Sequence, residues 1–327
     1  MCKLKESSDI YTAIYPVHLI CTFFGHAPFK IEINYDSSYI RFPKIFTAYT
    51  FGCMILFSFI FIEIHNYLIT IHYYAETTIT LLNDSLSLYS IGFITLVATA
   101  LSRTHRNAYT NIFNIIYNIN INMLKLNIPM SYRNAGLIST SLTLIHVFVD
   151  FIILCLSHII FQNTQNYFKY FYVLLLPRLA ITTVECKFKL VVYILNSNLK
   201  VLNNYLEHFS PAISNTNNAL KNCNSIFEKS VRNGVTKNLN EIYNMLLKNA
   251  EILNEMFSPI MLLFIVHYFS NLLNNIYYII YIRFISPEDY FETLMYFSAF
   301  WSIWDIQKVY IITLLCSNFT NQVRNFP

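Results

Sequence analysis

Glycine is nearly absent from this chain, with 5 in 327 residues. Phosphate-cradling loops and dinucleotide folds need several glycines at fixed spacing, where backbone must approach a ligand closely, so those classes are largely excluded. Charge is scarce too. Asp, Glu, Lys and Arg make up 12% of the residues, where a soluble domain carries about a quarter. A large helical core could not be kept in water with so little charged surface. The net charge of +4 is too small to point to nucleic acid. Seven cysteines (Cys2, Cys21, Cys53, Cys155, Cys186, Cys223, Cys316) are scattered, mostly within apolar runs, and lack metal-ligand spacing. They read as small buried hydrophobes. With no nucleophile elbow and no metal-ligand pattern, the expectation is a protein without enzymatic activity, cofactor or metal. Around the short apolar run Tyr15–Phe24 there is no small-residue cleavage site, so no cleaved signal peptide is expected.

What is present is apolar sequence. Hydrophobic residues reach 55%, and the mean hydropathy is +0.43. Six stretches, 44–64, 79–101, 136–161, 168–194, 257–282 and 289–316, each supply the roughly 20 apolar residues that a spanning helix needs. They are too long and continuous for strands and lack the alternation of an outer-membrane barrel. The expected fold class is therefore all-α, a polytopic membrane helix bundle of six spans.

Lysine and arginine set the sidedness. They cluster before the first span (Lys3, Lys5, Lys30, Arg41, Lys44), between the second and third (Arg103, Arg106, Lys125, Arg133), and between the fourth and fifth. The loop 65–78 has none, the third has only Lys169 and the fifth only Arg283. The N-terminus is therefore expected in the cytoplasm, an orientation opposite to that of a G-protein-coupled receptor. The expected organisation is a cytoplasmic segment 1–43, four spans within 44–194, a cytoplasmic helical segment 195–256, two spans within 257–316, and a cytoplasmic end 317–327. Within the polar segment, Leu195, Leu199, Leu202 and Leu206 form one helical stripe, and Leu239, Ile242, Leu246 and Leu253 another. The fourth and fifth spans are thus expected to continue past the bilayer as helices. These pack on each other within one chain, or form a platform between subunits.

Several segments, taken in order, resemble the insect gustatory receptors, whose superfamily includes the insect odorant receptors. Ile14-Tyr15-Pro16-Val17-His18-Leu19-Ile20, followed by Phe24-Gly25-His26-Ala27-Pro28-Phe29, is similar to that family's segment before span one. Leu195-Asn196-Ser197-Asn198-Leu199 through Leu202-Asn203 resembles its exit from span four. Glu241-Ile242-Tyr243-Asn244 to Asn254-Glu255-Met256-Phe257-Ser258 resembles its entry into span five, and Ile311 to Val323 its linker after span six. The resemblance implies a small-molecule tastant and a ligand-gated cation channel, a homo- or hetero-tetramer with other family members. The expected location is the plasma membrane of sensory neurons. In that family a seventh helix with a Thr-Tyr and Gln-Phe signature lines the pore. This sequence ends at Pro327 before such a motif, so no pore-lining residue is carried over.

Ionisable and aromatic residues inside the spans are the candidates for ligand contact, because burying them in lipid is costly. His146 and Asp150 are four apart on one face of span three and can touch. They read either as the polar floor of a pocket or as a pair that holds helices together. His267 and Tyr268 in span five, Trp301 and Trp304 in span six, and Asp84 and Tyr89 in span two complete the set. Aromatic rings suit sugar or alkaloid ligands, although such stripes also serve as packing or interfacial belts. Lys187 and Lys189 are expected to snorkel to the cytoplasmic interface. Two readings compete with the tastant-gated channel: a truncated, non-conducting or modulatory family member, and, less favoured, an odorant receptor or small transporter.

Overall fold

A computed structural model describes residues 9–27, 29–33, 38–72, 78–128, 130–161, 167–219, 226–285 and 290–324. Among them are eight helices and one short hairpin. In chain order these are α1 (Asp9–Phe23), β1 (Lys30–Ile33), β2 (Ser38–Arg41), α2 (Lys44–His72), α3 (Thr78–Thr104), α4 (Arg106–Lys125), α5 (Arg133–Phe161), α6 (Tyr167–Ala219), α7 (Ile226–Ile285) and α8 (Tyr290–Arg324). The strands pair antiparallel, Lys30 opposite Arg41 and Ile33 opposite Ser38. That hairpin departs from the all-α expectation; it is too small to change the class.

Two helices lie outside the expected spans. In α1 the residues Ile10, Ile14, Val17 and Cys21 recur at helical spacing and are buried against α5 and α6. In α4 a second stripe, Ile112, Ile116, Ile119 and Met123, is buried against α7. Both helices end the same way. After α1, the His26 amide donates to the Cys21 carbonyl at 2.8 Å and the Gly25 amide to Thr22 at 3.0 Å, with Gly25 at φ 76°. After α4, Ile128 donates to Met123 at 2.9 Å and Asn127 to Leu124 at 3.0 Å, with Asn127 at φ 58°. These are Schellman caps, which need a left-handed residue just past the helix; glycine and asparagine are the residues that supply it most cheaply. At Gly25 a Cβ would also lie 2.7 Å from that of Cys53, so the cap fixes how closely α1 approaches α2.

The helix α6 sits at the centre. From Ala180 to Leu195 nearly every side chain is buried on all sides, and α6 contacts α1, α2, α3, α5, α7 and α8. Around it, α2, α5, α7 and α8 turn apolar faces outward: Ile55 and Phe59, Ile145 and Phe148, Leu262 and Phe269, Ile303 and Tyr310 are all exposed. Exposed rows of this kind on long helices are what lipid-facing surfaces look like. Among the described residues, four segments are long and apolar enough to cross a bilayer: Lys44–Asn66, Ser85–Thr104, Arg133–Leu156 and Gly234–Tyr277. Neither α6 nor α8 is among them. Their described parts carry Arg178, Glu185, Lys187 and Lys189, and Asp305 and Lys308, which lower their mean hydropathy.

The helices α6 and α7 run unbroken for 53 and 60 residues. In the polar segment, Leu195, Leu199 and Leu202 are buried, as are Leu239, Ile242, Leu246 and Leu253, while Leu206 is partly covered. Cross-ties hold these extensions. Asn203 donates to the Gln322 carbonyl of α8 at 2.9 Å, and Asn249 to the Ile112 carbonyl of α4 at 3.2 Å. The helix α8 continues to Arg324, so the described part of 317–327 extends the same helix.

Candidate functional site

The charges that weaken α6 and α8 as apolar spans meet each other inside the bundle. Asp150 of α5 is 1% exposed and accepts four hydrogen bonds from three groups. Lys308 Nζ approaches its two oxygens at 3.0 and 2.8 Å, Trp304 Nε1 donates at 2.9 Å, and the Thr182 hydroxyl donates as well. Arg178 Nε lies 3.6 Å from the same carboxylate. The other end of that guanidinium, Nη2, donates to Asp305 at 2.5 Å. Arg178 thus bridges two carboxylates from different helices, and its planar fork is the geometry for doing so. The Trp301 ring packs against it, with its centroid 4.7 Å from the guanidinium carbon.

From Asp305 the network passes to α7 and α3. Asn271 donates to Asp305 at 3.3 Å and to His267 Nε2 at 3.1 Å. Its own oxygen accepts from Ser87 at 2.5 Å, and Ser90 lies 2.6 Å from His267 Nδ1. With Nε2 accepting, the imidazole carries its proton on Nδ1, and Ser90 is the acceptor. About two helical turns beyond Arg178 on α6, Glu185 accepts from the Tyr268 hydroxyl and faces Lys189 at 3.5 Å. The cations Arg178, Lys189 and Lys308 are matched by Asp150, Glu185 and Asp305, so formal charge cancels. Cancellation matters here, because a charge buried away from water without a partner is costly.

Six of the eight candidates from the sequence gather on this network: Asp150, His146, His267, Tyr268, Trp301 and Trp304. The expected contact between His146 and Asp150 does not form. His146 Nδ1 bonds the Leu142 carbonyl at 2.8 Å, Nε2 has no partner, and the ring packs on Trp304 at 5.2 Å. Asp150 turns to two cations instead, which are stronger partners for a buried carboxylate than a neutral imidazole. Tyr89 is engaged elsewhere, 2.6 Å from His65 Nδ1 and against Phe61. Asp84 is in α3, but its side chain falls outside the described residues.

The sequence reading missed Arg178, Thr182, Glu185, Asn271, Asp305 and Lys308. A signal was present for the charged ones. Asp305 and Lys308 are three apart inside an apolar run, the same spacing argument that drew attention to His146 and Asp150. Nothing local marks Thr182 or Asn271, whose importance comes from their neighbours on other helices.

A third buried cation of α6, Lys187, lies nine residues beyond Arg178 and outside this network. Lys187 was expected to reach the interface; it is 4% exposed, donates to the His26 carbonyl at 2.7 Å and sits 3.4 Å from the Tyr109 ring centroid. Lys189 is 2% exposed and faces Glu185. Lys187 finds an acceptor and π-electrons inside the bundle, and Lys189 a counter-charge, so neither needs to snorkel. His26 belongs to the cap of α1, and Lys187 therefore ties the N-terminal segment to the central helix.

Residues 14–326 match the sequence profile of the 7tm chemosensory receptor family. No curated protein sequence matches the chain closely enough to be counted a relative. The match covers nearly the whole chain and agrees with a helical bundle in which, among the described residues, four segments are long and apolar enough to cross a membrane. The chain belongs to the 7tm chemosensory receptor family, the type of the insect gustatory and odorant receptors.

Proposed function

We propose that this receptor is a gustatory subunit of a ligand-gated cation channel, a homo- or hetero-tetramer in the plasma membrane of sensory neurons. In this reading all six long helices, α2, α3, α5, α6, α7 and α8, cross the bilayer, with the N-terminus in the cytoplasm. The observation that carries it is the charge-balanced network joining α3, α5, α6, α7 and α8 around Asp150, Arg178, Asp305 and Lys308. Internal pairing removes the objection that α6 and α8 are too charged to cross. The ends of the helices support the orientation, because Lys44, Arg103, Arg106, Arg133, Lys200, Lys237 and Arg324 all fall at one end of the antiparallel array.

The tastant binds beside this network, against Trp301, Trp304, His146 and His267. Those groups offer ring faces and a few polar atoms around a neutral floor. A neutral or weakly polar molecule suits such a floor better than a strongly charged one, which would break the charge balance. Ligand contact on the tryptophans would act on Arg178 and Asp150, and through them on the packing of four helices.

The test is current in cells expressing the chain, alone and with co-expressed family members, against sugars and bitter compounds. Ligand-evoked cation current that falls when Trp304→Ala is substituted is the expected result. No current in any combination would overturn the channel reading. Protease protection of an N-terminal tag tests the orientation independently.

A further inference from the structure

We propose that the groove where α2 begins and α3 ends binds the phosphate-bearing headgroup of an anionic membrane phospholipid. It is an open hollow of about 590 Å³, lined by Phe42, Lys44, Thr47, Phe51, Arg103 and Arg106. Its three cations come from the start of α2, the last turn of α3 and the start of α4. None of them has a carboxylate partner among the described residues. The contrast is next door, where Lys30 and Arg41 share Glu32 at 3.4 and 3.8 Å. There the charge is spent within the protein. In the groove it is left facing outward.

The geometry favours phosphate. Arg103 stands 5.7 Å from the Phe51 ring centroid and Arg106 5.7 Å from that of Phe42. Each guanidinium is steadied on an aromatic face, while its donors find no acid. Two forks and an ammonium converging on one hollow match several phosphate oxygens. Basic hollows between spans, at the end where lysine and arginine collect, are where lipid headgroups dock.

The source of the phosphate follows from what lies next to the groove. Lys44 opens a helix whose outward face continues as Ile45, Ile55, Phe59 and Ile62, all more than half exposed. Acyl chains laid along that face would leave the headgroup at Lys44, Arg103 and Arg106. A soluble polyphosphate has no use for that apolar track. The assignment needs only that α2 and α3 cross a membrane; placing the groove in the inner leaflet rests on the proposed orientation.

The experiment uses the full chain in phosphatidylcholine nanodiscs, which expose both faces and so do not depend on orientation. Phosphatidylinositol bisphosphate is added, and retention is read by native mass spectrometry. Wild type is expected to retain the lipid, with apparent affinity falling roughly fivefold for each of Lys44→Gln, Arg103→Gln and Arg106→Gln. Lys200→Gln, an exposed cation at the same end, should leave it unchanged. Soluble inositol phosphate, lacking acyl chains, should compete poorly. Equal losses from Lys200→Gln, or no loss from the groove variants, would overturn the site. Soluble inositol phosphate binding as tightly as the lipid would overturn the membrane source. Because each variant changes an exposed residue, an unchanged melting temperature separates lost binding from lost folding. The channel reading fails or stands on currents, separately from this result.

Discussion

Lys308 of α8 places its ammonium 2.8 Å from one oxygen of Asp150 on α5 and 3.0 Å from the other, and both side chains are sealed from solvent. The pair joins helices 158 residues apart in sequence. The two partners are not equally dependent on it. If Lys308 is removed, Asp150 still has Arg178, Trp304 and Thr182. If Asp150 is neutralised, the Thr182 hydroxyl is the one hydrogen-bond partner left to Lys308 among the described residues, with two aromatic rings nearby and the Asp305 charge, itself held by Arg178, at longer range.

This asymmetry predicts an order of damage. Asp150→Asn should cost about 3–5 kcal/mol, the range for breaking a buried pair and stranding a charge. Lys308→Met should cost less, and the double substitution should recover much of the loss by restoring balance. Thermal unfolding of the purified protein in nanodiscs gives the cycle. Equal losses for the two single variants would contradict the described connectivity.

Arg178→Lys is predicted to behave as a disruptive change. A single ammonium cannot hold Asp305 at 2.5 Å, lie 3.6 Å from Asp150 and keep the Trp301 contact together. A loss of about 2 kcal/mol or more is expected. Trp301→Leu, which removes only the ring, should cost about 1–2 kcal/mol. The same melting measurement distinguishes them, and a silent Arg178→Lys would show that one contact suffices.

Two glycines should respond in opposite directions. At Gly136 an added Cβ would meet Ala13 backbone at 2.7 Å, where α1 crosses α5. Gly136→Val should force the helices apart at a cost of about 1–3 kcal/mol. At Gly234, inside α7, nothing lies within 4 Å. Gly234→Ala should stabilise by roughly 0.5–1 kcal/mol through backbone entropy and helix propensity. Fluorescence-detected size-exclusion after heating reads both signs.

Acid should loosen the N-terminal segment. Burial, assisted by the charge of Lys187, pushes His18 and His26 down to about 3, against an unfolded value near 6.5. A lowered folded pKa means the unfolded chain binds more protons, so stability is full above about pH 6.5 and declines as pH falls toward 3. Each imidazole contributes up to about 1.4 kcal/mol per pH unit in that window. His26, whose ring nitrogens have no partner, offers the cleaner probe. His26→Phe should flatten the decline in a series of melts from neutral to acidic pH. An unchanged slope would remove His26 as its source.

The sequence made the long helices legible because apolar runs of that length have few other uses, and the leucine stripes after Leu195 and before Leu253 showed how two of them continue. The helix α4 was hidden between charged residues, although its isoleucines repeat at helical spacing and Leu126-Asn127 is a recognisable stop. The aromatic and ionisable residues singled out in the sequence, Asp150, His267 and Trp304 among them, meet in one buried network. What could not be read was the pairing. Arg178 binds two carboxylates on two other helices, and which carboxylates those are depends on how α5 and α8 rotate about α6. Three-dimensional packing settles that rotation, and no spacing within one helix records it.

The length of α6 has a mechanical consequence. Arg178 and Asn203 lie on the same unbroken rod, 25 residues apart, and each grips α8, at Asp305 and at Gln322. At 1.5 Å per residue they are roughly 37 Å apart. If a ligand tilted α6 against α8 by about 5° at the level of Arg178, the Asn203 end would swing by roughly 3 Å. That displacement exceeds the reach of the Asn203 hydrogen bond to Gln322. A small tilt at Arg178 would thereby be geared up into loss of the Asn203–Gln322 contact farther along the same rod.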